Sequence, residues 1–113
     1  MRQTAQKLID AYNAGKNRGA GNSCVSTSDG VTTFSLHGNP IVRVDGTGRR
    51  VISVSFAGWP TNTTRSRIND ICCGLYGGRP ISQVAIGQCV SGHGEVSAAA
   101  DRWYQVYPAI EKA

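Results

Sequence analysis

The segment from residue 31 to residue 59, VTTFSLHGNPIVRVDGTGRRVISVSFAGW, decides the fold because its apolar residues recur at every second position. Two glycine-containing stretches, HGNP and DGTG, have the composition of tight turns and divide the segment into three pieces. The predicted strands cover residues 31–36, 40–45 and 50–57. Since the connections are short, the simplest topology is an antiparallel meander.

The third predicted strand shows how the sheet is covered. Ile52, Val54 and Phe56 fall on one face, whereas Ser53 and Ser55 fall on the other together with Val51. Apolar and polar residues therefore alternate, which predicts a sheet with one buried face.

Helical periodicity appears on both sides of this segment. Upstream, the apolar residues are spaced i, i+3, i+4 and i+7 within residues 2–14: Ala5, Leu8, Ile9 and Tyr12. Downstream, a second stripe of the same period predicts a helix that covers the sheet: Thr64, Ile68, Ile71, Cys72 and Leu75. Gly77 and Gly78 end this helix, because glycine adopts the positive φ of a helix C-terminus without strain.

The last third of the chain predicts two further strands, ISQVAIGQCV at 81–90 and RWYQVY at 102–107, with a long connection that has room for a helical turn. The element order αβββαββ indicates an α+β fold: a small antiparallel sheet of about five strands covered by one central helix, plus an N-terminal helix. A Gly- and Asn-rich stretch at 13–23 predicts a flexible link. We therefore divide the chain into a helix and link, 1–22, and a single α+β domain, 23–113.

Composition limits the environment and the partner. The 113 residues carry a formal net charge of +5, which favours an anionic partner. No apolar run reaches the ~18–20 residues of a membrane span, and the N-terminus lacks the apolar centre of a signal peptide, so we expect a cytoplasmic protein. In that reducing compartment the four cysteines behave as small buried apolar groups and not as disulfides. No cysteine spacing supports a metal site.

Catalytic motifs are not found in the sequence. His37 and His93 each lie in a glycine-flanked turn, but no nucleophile elbow accompanies them. The glycine-rich GTGRR lacks the spacing of a phosphate-binding loop. We expect neither enzymatic activity nor a cofactor, and name no catalytic residue.

The junction after the third strand is the predicted binding site. Pro60 prevents continuation of the strand ladder, and a helix begins shortly afterwards. Helix N-termini present unpaired N–H groups and a positive dipole end, while Trp59 offers a flat surface for a base. The predicted ligand-binding residues belong to this junction and to the preceding hairpin and strand: Trp59, Thr61, Thr63, Thr64, Arg65, Arg67, His37, Asn39 and Arg43.

A purely structural interpretation explains the same residues. Thr63 then caps the helix, Trp59 fills the core, and Arg67 pairs with Asp70 on a solvated face. Burial of Trp59 and pairing of both arginines, with no hollow beside them, would favour this alternative.

Residues 31–70 also carry a resemblance. LHGNPIVRVDG followed by AGWPTNTTRSRIN is similar to a family of short accessory proteins of tailed bacteriophages, with a His-Gly-Asn hairpin ahead of Ala-Gly-Trp-x-Thr-x-Thr-Thr-Arg-x-Arg-Ile-Asn. The resemblance implies an accessory phage protein that acts in the cytoplasm of the host cell. It implies no shared catalytic activity.

Three binding hypotheses follow. In the first, the junction and a neighbouring arginine (Arg43, Arg49 or Arg50) grip the phosphates of a nucleotide, and the protein sequesters it against host defence in a pocket completed in a homo-oligomer. In the second, a stripe of arginines binds nucleic-acid phosphates with steep salt dependence: Arg43, Arg49, Arg50, Arg65, Arg67 and Arg79. In the third, Trp59, Trp103, Tyr104 and Tyr107 anchor a host protein or a second copy of the chain, as in an inhibitor or an oligomeric structural module.

Overall fold

The computed structural model describes residues 3–46, 50–57, 62–84, 87–90, 93–96 and 102–108. Two helices and nine strands lie within these described residues. In order they are α1 (Gln3–Asn13), β1 (Arg18–Ala20), β2 (Ser23–Ser28), β3 (Val31–Leu36), β4 (Asn39–Asp45), β5 (Val51–Val54), α2 (Asn62–Tyr76), β6 (Ile81–Val84), β7 (Gly87–Val90), β8 (Gly94–Val96) and β9 (Tyr104–Tyr107). The α+β class is confirmed.

The main sheet has six antiparallel strands in the order β1-β2-β3-β4-β5-β9. Two-residue turns join β2 to β3 and β3 to β4. Asp29 and Gly30 have φ values of 52° and 80°, and His37 and Gly38 have 51° and 78°. Positive φ at both central positions is the geometry whose twist matches that of antiparallel strands. The predicted meander at 31–36 and 40–45 is therefore confirmed.

Both helices cover one face of this sheet. Phe34, Val42 and Val54 lie side by side in register on that face and are fully buried. α1 contacts α2, β1 and β2. Its predicted stripe is confirmed, because Ala5, Leu8 and Ile9 are buried in the same core and Tyr12 packs beside it, 5.9 Å from the Phe34 ring. An amphipathic helix of 11 residues gains most of its stability from such packing.

The end of α2 is fixed from two sides. Gly77 has φ of 80°, and its N–H donates to the carbonyl of Cys73 at 2.9 Å, which confirms the predicted glycine stop. Arg50 donates to the carbonyl of Leu75 at 3.2 Å and lies 5.9 Å from the centre of the Tyr12 ring. A cation at this end of a helix also interacts favourably with the helix dipole.

The second sheet, β6-β7-β8, is joined to α2 by a buried side chain. Asn69 donates to the carbonyl of Ile81 at 2.8 Å and accepts from its N–H at 2.9 Å, so the amide acts as a strand partner for β6. The predicted single strand at 81–90 is wrong. It is a hairpin, because β6 and β7 pair with each other within that stretch.

Other predicted details also change. Among the described residues the main sheet has six strands, close to the predicted five, and three more strands form a second sheet. The predicted link contains β1, β2 begins at Ser23, and β8 lies in the predicted connection. The third predicted strand ends at Val54, and its serine face is covered, because Ser53 and Ser55 are buried. The division of the chain at residue 22 stays a prediction. No helix among the described residues is long and apolar enough to cross a membrane.

Candidate functional site

A cavity of about 500 Å³ opens where the β3–β4 hairpin, the end of the β5 segment and the first turn of α2 meet. Its wall combines apolar and polar side chains. The lining residues are Leu36, His37, Asn39, Ile41, Phe56, Ala57, Thr63 and Thr64.

The apolar part of the wall is fixed by the core. Leu36, Ile41 and Phe56 are all at least 95 % buried. Ile41 reaches this position because the β3–β4 register shifts between Phe34 and Ser35, and its carbonyl accepts from the Ser55 N–H at 2.9 Å. A bulge of this kind turns an extra side chain towards a site. This half of the cavity is preformed and rigid.

Ala57 marks the point where the chain leaves the sheet. Its φ is 51°, a left-handed conformation that costs an L-residue of this type about 1–2 kcal/mol. The Ala57 N–H donates to the hydroxyl of Ser55 at 3.1 Å, which offsets part of that cost. Because the side chain at this bend is a single methyl group, the cavity stays open beside Phe56.

The polar rim on the hairpin side is held by hydrogen bonds. The backbone N–H of His37 donates to the carbonyl of Asn22 at 2.7 Å, and the His37 ring Nε2 lies 3.3 Å from Asn22 Nδ2. Asn22 Oδ1 accepts from the Ser23 hydroxyl at 3.2 Å. The exposed His37 ring therefore has a defined orientation although it sits at a hairpin tip.

The polar rim on the helix side belongs to the first turn of α2. Because the helix begins at Asn62, Thr63 lies inside its first turn, and its predicted role as the cap is wrong. Thr63 is exposed and Thr64 is 2 % exposed. The first N–H groups of a helix have no partner in the helix and carry the positive end of its dipole, worth about 0.3–1 kcal/mol for a nearby anion.

Four of the predicted binding residues come together around this cavity: His37, Asn39, Thr63 and Thr64. They approach from two segments about 25 positions apart in the sequence, which fold against each other only in the tertiary structure. Trp59 and Thr61 lie outside the described residues. Their predicted roles as a stacking surface and a hydroxyl donor stay predictions.

The three predicted arginines do not line the cavity. Arg43 alternates with the core residues of β4, so it lies on the sheet face opposite the helices, 4.8 Å from the centre of the Trp103 ring. Arg65 is half-buried on α2, and Arg67 is only 9 % exposed. A direct role of these side chains in ligand binding stays a prediction, and the cavity wall supplies neutral donors.

Two further arginines of the predicted stripe, Arg50 and Arg79, also lie apart from each other. Arg79 bonds the carboxylate of Asp70 at 3.3 Å, while Arg50 is half-buried against α2. Arg43 occupies the far face of the sheet. Arg43, Arg50 and Arg79 therefore do not share one exposed face, which weakens the hypothesis of a nucleic-acid track.

The apolar half of the site was missed by the sequence-based prediction. Leu36, Ile41, Phe56 and Ala57 read as ordinary strand residues, and Phe56 was assigned to the core face of the third strand. One signal was present in the sequence for Leu36, Phe56 and Ala57. Each of them ends a strand or borders a turn, where the buried face of a sheet becomes accessible. The bulge at Ile41 has no such signal.

The described part of the chain contains thiols and other side chains of the kinds that can bind a metal. Cys24, Cys72 and Cys73 are free thiols, and burial raises the pKa of the Cys72 thiol to about 12. No three metal-ligating side chains cluster among the described residues.

A family model described as the Kyanoviridae Gp96 protein matches residues 1–104. The match covers most of the 113 residues, so the chain belongs to this family of phage proteins. The predicted phage origin is confirmed at this level. No curated protein and no solved structure matches the chain.

Proposed function

We propose that the protein binds a small phosphorylated ligand with a planar ring, of the mononucleotide or cyclic-nucleotide class, and leaves it chemically unchanged. The observation that carries the proposal is the cavity. Its volume of about 500 Å³ falls in the range of roughly 300–1,000 Å³ typical of ligand sites. A single mononucleotide is a ligand of this order, whereas a nucleic-acid strand requires an extended groove.

The distribution of side chains supports this ligand class. Leu36, Ile41 and Phe56 offer a rigid apolar wall for a base, as sites for small ligands usually do. Thr63 and the first N–H groups of α2 on the helix side of the rim, and His37 on the hairpin side, offer donors for a phosphate. The net charge of +5 adds a long-range attraction for anions.

Family membership suggests a biological role for such binding. A phage protein that holds a nucleotide without converting it lowers the free concentration of that nucleotide in the host cytoplasm. We therefore propose sequestration of a nucleotide signal of host defence, by a non-enzymatic protein without a cofactor. A homo-oligomer fits this role, because a second copy of the chain would shield a ligand that a 12.0 kDa domain leaves partly exposed.

Isothermal titration with adenosine 5′-monophosphate, cyclic AMP and their guanosine counterparts tests the proposal, with adenosine and inorganic phosphate as component controls. Thr63→Phe places a ring in the cavity and should weaken nucleotide binding at least tenfold. The matched control is Thr4→Phe, since Thr4 occupies the same second position of α1 and lies away from the cavity. Failure of all four nucleotides to bind, or equal loss in both variants, would contradict the proposal.

A second candidate function rests on the edge of the main sheet. β9 pairs with β5 and is the last strand of the described sheet, and Tyr107 on it is 38 % exposed and stacks on Tyr76. Edge strands pair readily with another chain, so a protein inhibitor or an oligomeric structural module would use this edge. Light scattering of wild type and Gln105→Pro distinguishes the two candidates: loss of oligomers together with unchanged nucleotide binding would assign the edge to assembly alone.

A further inference from the structure

The two histidines of the protein make hydrogen bonds of opposite polarity through the same ring atom. His37 Nε2 lies 3.3 Å from the amide nitrogen of Asn22, a group that can only donate. His93 Nε2 lies 2.8 Å from the backbone carbonyl of Gln105, which can only accept. The first contact requires a bare Nε2, whereas the second requires an Nε2 that carries hydrogen.

The Asn22 amide places its nitrogen towards His37 and its oxygen towards Ser23. The Ser23 hydroxyl donates to Asn22 Oδ1 at 3.2 Å, and Ser23 itself is 4 % exposed. The His37 backbone N–H donates to the Asn22 carbonyl at 2.7 Å, which fixes the distance between the two residues. The imidazole is thus paired with a side chain whose orientation is set from within the fold.

We infer that Asn22 is a positioning residue that holds His37 as the neutral tautomer with hydrogen on Nδ1. This inference rests on the proposed function for its ligand. Asn22 takes up Nε2 and does not line the cavity, so Nδ1 is the nitrogen left for a bound molecule. A protonated Nδ1 can only donate.

The hydrogen bonds then run in one direction, from Ser23 to Asn22, from Asn22 to His37, and from His37 to the ligand. Bonds aligned in this way polarise and strengthen one another. On the opposite rim the Thr63 hydroxyl can also donate, and the first N–H groups of α2 can only donate, so the cavity favours a group with several hydrogen-bond acceptors. A phosphate group has this property, and the ring nitrogens and carbonyls of a base have it only in part.

Two-dimensional ¹⁵N–¹H correlation of the ring nitrogens tests the tautomer in the protein without ligand. At a pH where titration shows both rings neutral, His37 should show a protonated Nδ1 and a bare Nε2, and His93 the reverse. The two histidines serve as references for each other within one spectrum. Asn22→Asp should convert His37 to a protonated Nε2, because a carboxylate can only accept. A protonated Nε2 in wild type, or an unchanged pattern in Asn22→Asp, would overturn the inference.

Measuring the affinity for nucleotide in variants of Asn22 distinguishes failure of this inference from failure of the proposed function. Asn22→Ala releases the ring and should weaken binding of adenosine 5′-monophosphate about 3- to 10-fold, the worth of one hydrogen bond, with adenosine binding unchanged. Asn17→Ala is the control, since Asn17 accepts from the Thr27 N–H and does not contact His37. Unchanged nucleotide affinity in Asn22→Ala overturns the role of His37 alone, whereas the expected spectrum without any nucleotide binding overturns the proposed function alone.

Discussion

Asn69→Asp changes one atom in the link between α2 and the second sheet and should destabilise the protein strongly. The Ile81 N–H keeps its acceptor, but the Ile81 carbonyl then faces a second oxygen where it now receives a hydrogen bond of 2.8 Å. Leaving a buried carbonyl without its donor costs about 1–3 kcal/mol. Since Asn69 is 7 % exposed, burial of the new charge adds to that cost. We expect a total of about 3 kcal/mol or more by these two principles.

Urea unfolding followed by circular dichroism measures this loss. With a slope of about 1.5 kcal/mol/M, the midpoint should fall by about 2 M. The penalty should also depend on pH, because the folded state raises the pKa of the introduced carboxyl above its unfolded value of about 3.9. The penalty is full above the folded pKa and shrinks as the pH falls towards 3.9, where the protonated group again donates to the carbonyl.

Asn17→Asp is the matched control for this experiment. Asn17 is exposed and its side-chain oxygen only accepts, from the Thr27 N–H at 2.9 Å, so the same substitution leaves its bond intact. Its free energy of unfolding should therefore stay within about 0.5 kcal/mol of the wild-type value, as for most surface changes. Equal midpoints for both variants, or a pH-independent loss in Asn69→Asp, would refute the reasoning.

Three further changes test other parts of the fold. Gly77→Ala should cost about 1–2 kcal/mol in urea unfolding because φ is 80° there, whereas Gly19→Ala, without a positive φ, should cost less than half as much. Arg50→Met should cost about 1–2 kcal/mol through loss of the bond to the α2 carbonyl and of the contact with the tyrosine ring; an unchanged midpoint would remove that role. With a pKa of about 12, Cys72 should resist a disulfide reagent at pH 8 until the protein unfolds, while exposed Cys24 reacts at once; rapid modification of both in folded protein would contradict the burial.

The sequence predicts those parts of the fold whose signals are local. Strand alternation and the Gly38 turn define β3 and β4 to within a residue. The helical stripe that begins at Thr64 identifies α2, and Gly77 locates its end. In each case the residues that carry the pattern also make the contacts that stabilise the element, so propensity and packing agree.

The errors arise where a local signal competes with a tertiary one. The Asp29-Gly30 turn favours a hairpin, but the polar residues of β2 hide the strand, since only Val25 and Ser23 are buried in it. Residues 81–90 alternate like one strand, and the division into two paired strands, β6 and β7, cannot be recognised from periodicity alone. The role of Asn69 is invisible in the sequence, because its two bonds are made to a residue 12 positions away.

The candidate site shows the same division between local and tertiary signals. Helix N-termini and hairpin tips can be located from sequence, and these supplied His37, Asn39, Thr63 and Thr64. The arginines were included for their charge, yet burial and strand alternation place them elsewhere. Charge is a property of composition, whereas access to a cavity depends on which face of an element a side chain occupies.

The residues that line the cavity fall into a buried group and an exposed group, and this difference bears on the proposed function. Phe56, Ile41 and Thr64 are at most 2 % exposed, so they belong to the core as much as to the cavity. His37 and Thr63 are exposed, so burial in the core does not account for the imidazole or the hydroxyl at those positions. Yet His37 adopts φ of 51° and is held by Asn22 through backbone and ring together. Since left-handed φ disfavours a residue with a Cβ and glycine would fit the same turn, the ordered imidazole is better explained by binding than by folding.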